Sequence, residues 1–198
     1  QEDLLKIFHI LGFLLHYDSG LLKGMIILNK EWATDALYRV LDDEIVRDNK
    51  GWFVKSDAKK IWHDQKYQDR ENELLQLMQE FKLTYYNETS KKYIVPSKLP
   101  EDTEGLPEWN TTNNVRLHLR YDWLPRPVAT QLIVLLHDHI VQINNKEQWI
   151  WRKGAVLDGK KLDLSDAQVR IIDNWRDRQM EIRARGDLSE LLIRTVMQ

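Results

Sequence analysis

The 198-residue sequence predicts an α+β fold in two parts: a mainly helical, winged-helix-like first part, then an α/β part with an antiparallel sheet. Three features predict it. Through much of residues 1–83, apolar side chains recur at the three- and four-residue spacing of amphipathic helices. Residues 96–114, PSKLPEDTEGLPEWNTTNN, carry three Pro, one Gly and four acids without any period, the mark of a connection. Beyond them, short runs alternate apolar and polar residues at the period of two that a half-buried strand requires. The expected division is a domain at 1–95, a linker at 96–114 and a domain at 115–198.

In the first part, Leu4, Leu5, Phe8, Leu11, Leu14 and Leu15 predict a helix with one buried apolar face, ending at Asp18-Ser19-Gly20. Met25–Leu28 suits a short buried strand. Asn29 is placed to cap a helix carrying Trp32, Ala36, Leu37, Val40 and Leu41, because its side-chain oxygen can accept from an early backbone N–H. Gly51–Val54 reads as another strand, and Ser56 as the cap of a helix through Ile61 and Trp62. Leu74, Leu75, Leu77, Met78 and Phe81 mark a stronger helix. Leu83–Tyr86 and Tyr93–Val95 form a hairpin around the polar turn at Asn87–Ser90. Helices closed by a hairpin are the order of a winged-helix module.

In the second part, Val115, Leu117, Leu119 and Tyr121 alternate with Arg116, His118 and Arg120. A helix is expected from Val128 to His139, started by Pro127. Strands at 148–152 and 155–157 flank a Lys153-Gly154 turn, and further strands are expected at Val169–Asp173 and Met180–Arg185. Asp187 is placed to cap a C-terminal helix.

Composition limits the chemistry. There is no cysteine, which excludes disulfides, thiolate metal sites and cysteine nucleophiles, and favours a cytoplasmic location. No run approaches the ~20 apolar residues of a membrane span. The 29 basic and 31 acidic residues nearly cancel, where a nucleic-acid binder would show a basic excess. The second part holds 14 basic against 11 acidic residues, the first 14 against 16. The chain begins at Gln1 without a signal pattern, as a piece of a longer protein would.

No Walker loop, GxGxxG, GxSxG or HExxH occurs, so no enzyme is expected. His137-Asp138-His139 cannot chelate from one helix, since positions i and i+2 point about 200° apart. His9 and His16, two turns apart, are too distant to share an ion. Asp42-Asp43-Glu44 reads as a solvated charge run at a helix end. Arg183 and Arg185 share a strand face and read as an exposed edge strand, with anion binding the alternative. Eight Trp against four Phe suggest interaction anchors, among them Trp149, Trp151 and Trp175; Trp149 and Trp151 share one strand face and Ile150 takes the other.

Several segments, in order, resemble the COR domain of Roco proteins. They are Leu15-His16; the step Ile27-Leu28-Asn29-Lys30-Glu31-Trp32, with Lys30 where the family has proline; Leu37-Tyr38; Gly51-x-Phe53; Ile61-Trp62; Leu74–Leu83; and Tyr93–Pro96 followed by Leu99-Pro100. In the second part, Tyr121–Pro125 and Trp151-Arg152-x-Gly154-x-x-Leu157 are similar to the family. The resemblance implies a non-catalytic dimerisation and regulatory module that follows a Ras-like Roc GTPase domain. Its first part would contact Roc in cis, with Arg70 and Glu73 as the contact candidates, and its second part would form a homodimer. It implies no cofactor here, GTP, GDP and Mg being held by the Roc domain. The alternative is a winged-helix regulator that binds nucleic acid and oligomerises through its α/β part. The acidic Gln68–Glu73 stretch disfavours that alternative.

Overall fold

The computed structural model describes residues 2–17, 20–102, 105–106, 109, 114–123, 127–144, 147–162 and 168–186. Among the described residues the fold is α+β, with helices and three antiparallel sheets.

Helix α1 (Glu2–Ile10) stops earlier than the apolar spacing predicts. Gly12 takes φ +73°, Phe13 N donates to Phe8 O and Gly12 N donates to His9 O, both at 2.9 Å. That is a Schellman terminus, completed by an edge-on contact of the Phe8 and Phe13 rings at 6.0 Å. The chain released by this stop forms β1 (Leu15–His16), which pairs with β2 (Ile26–Ile27), so Leu15 and His16 are strand and not helix residues. His9 and His16 therefore do not share a helix; His9 Nδ1 accepts from His16 N at 3.2 Å.

Asn29 caps α2 (Lys30–Asp42) as expected, accepting from Trp32 N at 2.9 Å. Lys30 is the first helical residue, a first-turn position whose N–H has no intrahelical acceptor, so proline and non-proline residues interchange there. Asp43 caps α3 (Glu44–Asp48) through Ile45 N, which gives the Asp42–Glu44 run a structural use. After β3 (Trp52–Phe53), α4 (Lys55–Ile61) is capped at Val54, two residues before the expected cap. Ser56 lies inside the helix, and the Asp57 carboxylate accepts from Val54 N at 3.2 Å instead. Helix α5 (Glu71–Glu80) precedes β4 (Tyr85–Asn87) and β5 (Lys92–Ile94), and β5 lies between β3 and β4. Trp62, Tyr67, Phe53, Leu74, Leu77 and Met78 are the large buried side chains of this half, and Trp62 Nε1 donates to Ala36 O at 2.9 Å.

The second half is a five-stranded sheet in the order β6-β10-β9-β8-β7, formed by β6 (Val115–Arg120), β7 (Ile150–Trp151), β8 (Gly154–Asp158), β9 (Gln168–Asn174) and β10 (Gln179–Arg185). Helix α6 (Val128–Leu135) packs on one face, where Ile133 and Val134 meet Ala155, Leu157, Ile171 and Ile182. It ends before the predicted His139, and 137–139 continue as a single 3-10 turn. Strand β10 is flanked by β6 and β9, so Arg183 and Arg185 stand on an interior strand and not on an edge. The C-terminal helix expected from Asp187 lies outside the described residues.

Candidate protein-interaction site

Segment 96–114 is fastened in its described parts. Pro96–Lys98 form a 3-10 turn, and Leu99 joins a core cluster with Tyr85 and Ile94 from the first half and Ile133, Ile140 and Leu157 from the second. Trp109, only 3% exposed, packs with Val141, Trp151 and Val156 on the sheet face opposite α6. Polar contacts reinforce the joint. Tyr85 Oη donates to Gln148 Oε1 at 2.7 Å, and Arg152 N donates to Pro100 O at 2.8 Å. Glu101 receives Arg152 Nη2 at 2.5 Å and Lys153 Nζ at 2.9 Å. The Lys153 hydrogen bond and the charges of both cations hold its carboxyl below the usual range. The Tyr85 hydroxyl is pushed above the ordinary phenol range by burial.

Two open clefts follow this joint. One, about 510 Å³, runs between Tyr85, Tyr86 and Tyr93 on the first half and His137, Gln142 and Lys161 on the second. The other, about 810 Å³, is bordered by Trp52, Lys92, Leu99 and Trp149. His137 is committed to this region: its Nδ1 lies 2.7 Å from Val134 O and its ring 4.8 Å from that of Tyr85.

Helix α1 leaves much of its expected buried face exposed. Of the predicted face, Leu4, Phe8 and Leu11 are exposed, Leu11 at 62%, while Leu5 and Leu15 are half-buried and Leu14 is buried; Ile7 and Phe13, the latter 67% exposed, add to the outward apolar surface. Ile26 and Leu28 add to the exposed apolar area of this half. Folded monomers rarely leave so many large apolar groups uncovered in one region.

Residues 1–99 match the family described as C-terminal of Roc, COR-A domain, and residues 112–198 match C-terminal of Roc, COR-B domain. The chain belongs to the COR family of Roco proteins. In those proteins COR follows the Roc GTPase domain. A Roc-COR-CHAT protease of Runella zeae is 30% identical over 176 residues, covering 87% of this chain and 18% of the relative. A probable serine/threonine-protein kinase of Dictyostelium discoideum, qkgA, is 29% identical over 104 residues, covering 52% of this chain and 7% of the relative. This COR chain thus spans less than a fifth of these curated relatives, and "protease" and "kinase" name those longer proteins. Among solved structures, Methanosarcina barkeri Roco2 RocCORdC bound to GDP is similar at 24% identity and TM-score 0.42, covering 50% of this chain and 32% of that one.

Several COR-like segments have a local physical cause here. Trp151 and Gly154 are cross-strand partners, and a Cβ on Gly154 would run into Ile171 O and the Trp151 indole. A side chain at that position therefore cannot be seated without moving β9 or the tryptophan. The Trp32 indole donates to Lys66 O at 3.0 Å and lies 5.5 Å from the Tyr67 ring, which ties the start of α2 to the turn before α5.

The sequence candidates are dispersed. In COR-B, Trp149 and Trp151 do share a face, opposite Ile150, and both belong to the cluster around Trp109. Trp151 is buried, at 5% exposure, while Trp149 and Trp175 are half-buried, with Arg176 stacked at 5.7 Å from the Trp175 ring. In COR-A, Arg70 occupies the N-cap of α5 with its side chain exposed, and Glu73 is half-buried in the first turn. Trp109 was hidden within a breaker-rich segment. The outward stripe of α1 was visible as a stripe, but its direction was not.

Proposed function

We propose that this COR chain is a non-catalytic coupling module: COR-A docks on the Roc GTPase domain in cis, COR-B forms a homodimer, and the joint between them links the two. The observation that carries the reading is the single core cluster in which Tyr85, Ile94 and Leu99 pack with the α6 side of the COR-B sheet. Close-packed cores do not deform gradually, so displacement of the COR-A hairpin is passed to the sheet. The exposed stripe of α1 supports a docked neighbour, and Arg70 and Glu73 at the start of α5 are the further contact candidates. Trp149 and Trp175 serve as half-exposed anchors of the COR-B dimer, with Trp151 supporting Trp149 from the same cluster. GTP, GDP and Mg belong to the Roc domain, and the setting is cytoplasmic. Helix α5 bears Glu71, Glu73 and Glu80 and no basic residue, which favours this reading over nucleic-acid binding.

The coupling is a linkage, so nucleotide state must alter the dimer constant and dimerisation must alter nucleotide affinity by the same factor. The test is sedimentation of the chain joined to its Roc domain, loaded with GDP or with a non-hydrolysable GTP analogue. We expect different dimer constants in the two states and loss of the difference in Leu11→Glu. Equal constants for the unaltered protein would refute the coupling.

A further inference from the structure

The COR-B face opposite α6 carries arginines in register across three strands. Arg183 on β10 pairs with Arg116 on β6 and with Arg170 on β9, so the three form one row. Neighbouring strands lie about 4.8 Å apart, which makes the row roughly 10 Å wide. Arg185, two residues along β10, extends the cluster. A row of like charges directly opposite one another is unfavourable unless something compensates it.

The compensation within the fold is incomplete. Two acids share this face among the described residues: Asp158, at the end of β8, accepts from Lys160 N at 3.0 Å, and Glu181 pairs with Arg183 through both carboxylate oxygens and lies 3.6 Å from His118 Nε2. Arg185 Cζ stacks 4.8 Å from the Trp109 ring and its Nη2 donates to Gln168 Oε1 at 2.6 Å. Arg170 has the same tryptophan at 5.2 Å, yet its Nε is buried without a hydrogen-bond partner. Burial first, and then the charge of Arg183, with a smaller push from Arg116, press the Arg170 guanidinium below its ordinary range against the attraction of Glu181. Arg116 is exposed, and among the described residues no carboxylate pairs with it or with Arg170. Trp109 walls one side of this face.

We propose that the Arg116–Arg183–Arg170 row is a docking site for an acidic, carboxylate-bearing peptide segment of a protein partner. Planar guanidinium forks match planar carboxylates, and a short extended peptide fits a row about 10 Å wide. Duplex nucleic acid would need a basic footprint beyond the row. Here Glu101 and Asp102 lie in a connection that carries a net charge of −3, and the chain as a whole is at −2.

The test titrates a fluorescein-labelled hexaglutamate peptide with the full chain, read by anisotropy at about 50 and about 200 mM salt. We expect saturable, salt-sensitive binding, none for hexaglutamine, and weaker binding of a labelled short duplex DNA. Arg116→Glu/Arg170→Glu should weaken the peptide about tenfold. Arg116→Glu alone changes only an exposed side chain and should lose severalfold with an unchanged melting curve. Lys59→Glu, exposed on α4 of the other half, should bind as the parent does. Absence of hexaglutamate binding, an equal loss in Lys59→Glu, or duplex binding as tight as the peptide would each overturn the proposal.

Discussion

The Tyr85 hydroxyl and the Gln148 side chain meet at 2.7 Å across the boundary between COR-A and COR-B. The two residues are 63 positions apart, and the bond is set among apolar groups: Tyr85 is buried with Ile94 and Leu99 against the α6 side of the sheet. Burial raises the phenol, so it remains a protonated donor throughout the neutral range. The contact is thus a latch at the joint that keeps its donor across the neutral range.

Removing only that hydroxyl isolates the latch. Tyr85→Phe keeps the ring in the core and leaves Gln148 Oε1 without its donor, at a cost of about 1 kcal/mol. For a chain of this size the melting temperature should fall by roughly 2–4 °C. Under the proposed coupling, the same variant joined to Roc should also show a smaller difference in dimer constant between the two nucleotide states. Differential scanning calorimetry and sedimentation on one preparation distinguish these effects, and an unchanged melting temperature would show that the bond contributes nothing.

The sequence was most legible where a side chain acts on its own neighbourhood. Asn29 reads as a cap and is one, because capping needs only a side-chain oxygen three residues before an N–H. The period-two pattern of Val115–Arg120 survives as alternating half-buried and exposed positions. Helix α1 failed because periodicity specifies that a stripe exists and not which way it faces. It also ran through Gly12, where the Schellman turn with Phe8 and Phe13 sends Leu15 into a strand. Strand order has no local signature, and this is why Arg183 and Arg185 read as an edge although β6 closes over β10. The arginine row and the seat of Trp109 were illegible for a related reason: Arg116 meets Arg183 only through strand register, and Trp109 meets Trp151 and Val156 only through tertiary packing.

Gly154 offers a sharp test of packing between β7, β8 and β9. Its Cβ would meet Ile171 O and the Trp151 indole, so Gly154→Ala must move a strand or expel the tryptophan. Overpacking of this kind costs about 1–3 kcal/mol. Gly24→Ala is the control, because Gly24 has φ +78° but open space around it, leaving only a backbone penalty of roughly 1–2 kcal/mol. Gly154→Ala should redshift the tryptophan emission as well as lower the melting temperature, whereas Gly24→Ala should lower the melting temperature alone. A Gly154→Ala protein with unaltered emission would contradict the packing of Trp151.

Asp173 on β9 carries a pH-dependent penalty. It is 2% exposed, its Oδ1 has no hydrogen-bond partner, and burial raises its carboxyl above the ordinary range despite the Lys153 charge and a backbone hydrogen bond from Trp175. A carboxyl whose folded pKa lies above its unfolded value binds more protons when folded. Its contribution is therefore most favourable below the unfolded value, about 3.9, and is lost as the pH rises through the folded value. At neutral pH the buried charge is a net cost. Asp173→Asn removes the charge at nearly constant volume, so the variant should melt higher than the parent at pH 7. The difference should shrink as the pH falls toward 4, where the parent regains its proton. Thermal melts of both proteins from pH 4 to pH 8 check the sign, and a variant less stable than the parent at pH 7 would mean that the Lys153 attraction outweighs the burial.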